Sequence, residues 1–247
     1  MAIGTRSYAR AYLSGSGMPP GTKALLIVNC AIFLVQFLTF GRLDALLIPY
    51  FGLVPYSVVH NFFVWQLITY MFLHGGILHI VFNMLALWWF GSELEGVWGT
   101  ERFLRFYFWV GGLAGLCVVL ANELVGNPKS VTIGASGAIY GILAASAVLW
   151  PDRILLFNFL FPLKMKYYVL IIGAISFYNS FNVIGPVSDI AHLTGLLWGF
   201  LFMKMPQKRR TSMMASLRQS YKEWKLQRAK KKFQVYMRKQ GRGPWVN

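Results

Sequence analysis

The chain has 247 residues, 56% of them hydrophobic and only 13% charged, with a formal charge of +16. Together with a positive mean hydropathy, this composition excludes an ordinary soluble domain and predicts a membrane protein. Apolar stretches of bilayer-spanning length recur from Ala24 almost to Met205, which also excludes a soluble domain on a single anchor.

Residues 1–21 read as a cytoplasmic N-terminal segment. The first apolar run follows Arg6, Arg10 and Lys23 and ends without a small-residue cleavage site, so it is expected to be a retained span and not a cleaved signal. Apolar runs set against breakers predict six helices, at about 24–40, 74–92, 101–122, 136–150, 166–184 and 189–205. The expected fold is all-α: a polytopic six-helix membrane domain over 22–205, followed by a basic cytoplasmic tail over 206–247. With the N-terminus inside, Arg6, Arg10, Lys23, Arg102, Arg105, Arg153, Lys164, Lys166 and the tail from Lys204 are all cytoplasmic, and only Arg42 and Lys129 lie outside. Short positively charged loops resist translocation, so this asymmetry predicts both termini on the inner side. The positive charge is therefore topological and does not imply a nucleic-acid partner.

The connection from Gly41 to Leu73 is long but not hydrophilic, carrying Pro49, Phe51, Pro55, Phe62, Phe63 and Trp65. Irregular backbone cannot face hydrocarbon, so short interfacial helices packed against the bundle are expected there, with His60 at the interface. Cys30 and Cys117 lie far apart in apolar runs and read as packing residues. In the tail, Met214, Leu217, Tyr221 and Trp224, then Phe233 and Tyr236 or Met237, recur at near-helical spacing between basic residues. That pattern fits either a helix on anionic lipid or a merely solvated tail.

Polar residues inside spans are costly and so informative. His79, Asn83, Ser136 and His192 stand out. Counted from the first charged residue at each cytoplasmic end, at ~1.5 Å rise per residue, His79 lies ~21 Å up, Asn83 ~15 Å, Ser136 ~24 Å and His192 ~18 Å. Three helices thus bring a hydroxyl, two imidazoles and an amide to one layer in the outer half of a hydrocarbon core of ~30 Å. Gly137 and Gly141 form a small-residue seam on the fourth span, and Gly195 and Gly199 one on the sixth. Such seams often serve packing alone, and single helical Ser, His or Asn residues often bond backbone or bridge helices. Here each seam adjoins a polar residue, so packing the two together would bring Ser136 to His192.

A hydroxyl, an imidazole to take its proton and donors for an oxyanion are the minimum set for acyl transfer. His79, Asn83 and the Ser136 backbone N–H are the candidate donors, and Tyr140, one turn below Ser136, could stack on His192. Asp189, one turn before His192, is expected to cap the start of the sixth helix, with a third triad member as the alternative. No metal-like spacing is visible.

Gly134-Ala135-Ser136-Gly137 resembles the GxSG motif of the rhomboid family, and Ala191-His192-Leu193-Thr194-Gly195 with Gly199 resembles its AHxxGxxxG motif. His74, His79 and Asn83 resemble the family's second-span set, and Glu95 with Gly99 its ExxxG. Trp65-Gln66-Leu67-Ile68-Thr69 is similar to the conserved element of its first loop, with Gln66 where the family often has Arg. The resemblance covers about residues 22–205. It implies an intramembrane serine protease with no cofactor, using a Ser136–His192 dyad. His79, Asn83 and the Ser136 amide would serve as oxyanion donors and Tyr140 would stack on the histidine. Implied partners are transmembrane protein substrates with small residues near the cut, and the implied setting is a bacterial plasma (inner) membrane. The same resemblance suits an inactive relative that binds membrane clients. A proton channel or small transporter is disfavoured, because no two matching halves with broken helices are visible. His74 is expected to bond the first loop and not to join the dyad.

Overall fold

The computed structural model describes residues 17–39, 42–157, 161–180, 188–205, 221, 223–229 and 236. Met1–Lys204 form one compact unit and Met205–Asn247 a second. The described part of the first unit is mostly helical: α1 (Pro20–Leu38), α2 (Asp44–Phe51), α3 (Pro55–His60), α4 (Gln66–Thr69), α5 (Ile77–Trp98), α6 (Thr100–Leu124), α7 (Ser136–Leu149), α8 (Met165–Ser180) and α9 (Ser188–Lys204). Three of these, α1, α5 and α6, are long and apolar enough to cross a bilayer, and α7 is a shorter apolar helix. The described helix boundaries fall within six residues of those expected; residues 181–184 of the expected fifth helix lie outside the described residues.

Helix α1 starts at Pro20, whose missing N–H would be unpaired there in any case. Its next two amides, of Gly21 and Thr22, donate to the buried carboxylate of Glu95 at 2.8 and 2.7 Å, and the Thr22 and Thr100 hydroxyls donate to it as well. One acid on α5 therefore caps another helix and ties three elements together. Gly99, at φ +78°, then turns the chain between α5 and α6 in a conformation that costs glycine little. On α6, Phe103, Phe106, Tyr107, Val110, Ala114 and Val118 recur at helical spacing and are buried, and they form the centre of the core.

The first loop folds into short helices as expected, with α3 and α4 packed on α6. Gln66 accepts the Val54 N–H at 3.0 Å and donates to the Pro49 carbonyl at 2.8 Å, so it holds the loop from within. Trp65 donates to the Tyr50 carbonyl and Thr69 to that of Phe51. The loop is also stitched to the segment before α7. Leu53 and Thr132 exchange both backbone hydrogen bonds at 2.9 Å, Tyr56 N–H donates to the Pro128 carbonyl at 2.8 Å, and Gly134 N–H donates to that of Tyr70 at 2.9 Å.

Between α7 and α8 the expectation of purely helical structure is corrected by an antiparallel hairpin. Strand β1 (Ile154–Phe157) pairs with β2 (Phe161–Lys164) in the register Ile154↔Lys164 to Phe157↔Phe161. Ile and Phe favour strands, and Pro162 is tolerated because each strand is an edge. At the hairpin base Arg153 pairs with Glu93. Lys166 and Lys164 hydrogen-bond Asp152 and hold its carboxyl below the usual range.

The most extensive contact between described helices joins α7 to α9. A Cβ added at Gly199 would lie 2.6 Å from the Gly141 Cα, and one at Gly195 would collide with the Gly137 carbonyl. Both glycine seams thus face each other at backbone contact, as small residues at a helix crossing permit.

Candidate active site

Helix α7 begins at Ser136, so the serine sits at a helix start where backbone N–H groups lack intrahelical partners. Gly134, two residues earlier, adopts φ +117°, and a Cβ there would come within 2.6 Å of His79 Nε2. Glycine is required at this turn by conformation and by space alike.

The α7–α9 seam sets the register that brings His192 to Ser136. The His192 Nε2 to Ser136 Oγ distance is 2.7 Å. Tyr140 stacks on the imidazole with ring centroids 4.2 Å apart and planes 7° from parallel. With Nε2 accepting from the hydroxyl, the imidazole proton resides on Nδ1. That nitrogen is 3.5 Å from Asp189 Oδ1. Asp189, in the first turn of α9, is buried. Its carboxylate faces the imidazole.

His79 and Asn83, one turn apart on α5, line the same cavity of about 610 Å³ as Ser136, Tyr140 and His192. The Gly75 N–H lies 3.4 Å from His79 Nδ1, which leaves Nε2 as the protonated nitrogen, on the side of Gly134. Asn83 Nδ2 is a buried donor with no hydrogen-bond partner among the described residues. An orphaned buried donor is costly unless something else uses it. Leu78, Phe82, Val131 and Ile133 complete the apolar walls; as ordinary members of apolar runs they carry no signal that sequence reading could have isolated.

His74 does not join the pair. Its ring is buried edge-on to His79 at 5.1 Å. It approaches the Phe72 carbonyl at the end of the first loop without regular hydrogen-bond geometry, so the expected loop bond is not formed cleanly. His60 is exposed, stacks on Tyr56 and lies 3.9 Å from Glu123 at the end of α6. No cluster of metal-binding side chains occurs among the described residues.

A hydroxyl within hydrogen-bond distance of an imidazole, beside a buried unpartnered amide and a cavity with apolar walls, thus lies in a largely helical membrane protein. Residues 61–207 match the rhomboid domain model, and the chain belongs to the rhomboid family. It is 33% identical to RHOMBOID-like protein 1 of Arabidopsis thaliana over 154 residues, which are 61% of this chain and 37% of that protein. It is 31% identical to Rhomboid protease GluP of Bacillus subtilis over 186 residues, 75% of this chain and 34% of that one. A third relative, RHOMBOID-like protein 6, mitochondrial, of Arabidopsis thaliana, is 33% identical over 151 residues, 58% of this chain and 45% of its own length. The matched region thus spans less than half of each of these relatives.

Proposed function

We propose that this protein is a serine endopeptidase that hydrolyses peptide bonds in or near transmembrane segments of other membrane proteins. The observation that carries the reading is the 2.7 Å contact between Ser136 Oγ and His192 Nε2 at the wall of a cavity. In the proposed reaction Nε2 takes the hydroxyl proton as Oγ attacks the scissile carbonyl carbon. The carbonyl oxygen becomes an oxyanion facing the Asn83 amide, the His79 Nε2–H and the Ser136 N–H. His192 then gives its proton to the departing amine, leaving an acyl-serine. Water attacks this ester through the same imidazole and restores the hydroxyl. Tyr140 keeps the ring plane fixed during both transfers.

The reading includes six spans with both termini on the inner side, a membrane domain over 22–205, and residence in a bacterial plasma membrane. The charge asymmetry and the apolar helices α1, α5, α6 and α7 support the topology. At ~1.5 Å per residue, the 14 residues of α7 cover ~21 Å, so a helix that reaches one membrane surface begins with its serine below the other.

A fluorophosphonate, which reacts with activated serines, should label the detergent-purified chain at Ser136. Labelling should vanish in Ser136→Ala and fall severely in His192→Ala. Asp189→Asn should retain most labelling if a dyad suffices, whereas a full triad loses about 10⁴-fold in turnover on this change. Folded wild type that neither labels nor cleaves a transmembrane substrate in several lipids would favour the client-binding alternative.

A further inference from the structure

Two adjoining pockets run along the crossing of α1 and α5, on the side of α5 that the candidate active site does not use. Each has a volume of about 290 Å³, and they share Phe33, Phe37 and Ile77. The larger stretch of the groove is walled by apolar side chains including Cys30, Ile80, Val81 and Met84. From Ile77 to Met84 it follows α5 for ~10 Å. Ile77 and Val81 are about half exposed on it, and the protein is an integral membrane protein, so hydrocarbon chains are the medium this wall meets.

The other end of the groove is polar and carries two opposite features. Asp44, at the start of α2, lines it, accepts a hydrogen bond from Gln36 Nε2 at 3.0 Å, and forms no ion pair with any described Lys, Arg or His. Beside it, Gly75, Gly76 and Ile77 bring the N-terminus of α5 to the same pocket, and a Cβ on Gly76 would meet open space. Helix N-termini offer N–H donors and a positive dipole end to anions. The His74 ring, 2% exposed, borders this end with both nitrogens lacking regular partners. An unpaired carboxylate and a helix N-terminus at the head of an apolar groove match a zwitterion with a fatty chain. A purely anionic lipid would suit the helix N-terminus alone, and Asp44 would repel it.

We propose that this groove is a binding site for a phospholipid with a primary ammonium headgroup. The ammonium lies on the Asp44 carboxylate, the phosphodiester lies at the first turn of α5, and one acyl chain runs between α1 and α5 past Val81. The site is separate from the Ser136 cavity, and its occupancy does not depend on peptide-bond hydrolysis.

The test is native mass spectrometry of the full chain released from micelles containing equimolar dioleoyl phosphatidylethanolamine and dioleoyl phosphatidylglycerol. Wild type should retain one phosphatidylethanolamine with severalfold preference. Asp44→Asn should lose the preference, and Val81→Trp, at an exposed position that tolerates bulk, should lose most retention of phosphatidylethanolamine. Equal retention by wild type overturns the proposal. So does a preference that survives Asp44→Asn, or retention untouched by Val81→Trp. The wild-type comparison and Val81→Trp decide the matter even if the Asp44 variant fails to fold.

Discussion

Removal of the donors around the cavity should separate catalysis from folding. Asn83 Nδ2 has no partner among the described residues, so Asn83→Ala breaks no hydrogen bond made by that nitrogen and should leave the fold intact. In the proposed mechanism it and His79→Ala each lower kcat by about 10²- to 10³-fold, the usual cost of losing one oxyanion donor. Saturating-substrate kinetics on both variants checks this; unchanged kcat would remove both side chains from the reaction. At this scale the sequence was highly legible, because Ser136, His192, His79 and Asn83 are rare polar groups in apolar helices and are drawn into one cavity. Asp189 was not. Whether its carboxylate reaches His192 depends on where the helix starts to within a residue or so, and boundary signals do not reach that accuracy.

Among the elements, the α7–α9 crossing depends on backbone contact, so bulk at its centre should be expensive. Gly199→Val must push α9 off the Gly141 Cα and is expected to cost about 1–3 kcal/mol or more. Gly96 on α5 is the control, since a Cβ there meets nothing within 4 Å. Gly96→Ala should be neutral or stabilising by up to about 1 kcal/mol, because alanine loses less backbone entropy in a helix. Thermal unfolding in detergent should therefore lower the midpoint for the first variant only; equal midpoints would mean that the seam yields. The glycine spacing announced this contact through its four-residue period. The Glu95 cap was not legible as a cap, since its acceptor oxygens meet amides more than seventy residues away in the chain and local patterns carry no such information. The β1–β2 hairpin was missed because its apolar residues lie between helical runs of similar composition.

For the whole molecule, the basic tail poses a question of its own. In the second unit, Tyr221, Glu223 to Ala229 and Tyr236 are helical, Tyr221 stacks on Trp224, and Arg228 lies over the Trp224 ring. Met214, Leu217, Phe233 and Met237 of the expected apolar face lie outside the described residues. A peptide of residues 211–240 should gain helicity on vesicles containing anionic lipid and bind neutral ones weakly. Equal binding to both, or no gain of helix, would leave the solvated-tail reading in place.

The stitching of the first loop to the segment before α7 has a consequence for amide exchange with deuterated solvent. Four backbone hydrogen bonds join Leu53, Tyr56 and Tyr70 to Pro128, Thr132 and Gly134, so neither strip can open without the other. Protons on the Leu53, Tyr56, Thr132 and Gly134 nitrogens should exchange as one cooperative unit, with a shared opening free energy and a common response to denaturant. Leu53→Pro deletes one of the four donors and should speed exchange at Thr132 and Gly134 as well as at Tyr56, far beyond its own neighbours in the chain. Independent rates at the four sites would mean that the loop moves apart from the turn that carries Ser136.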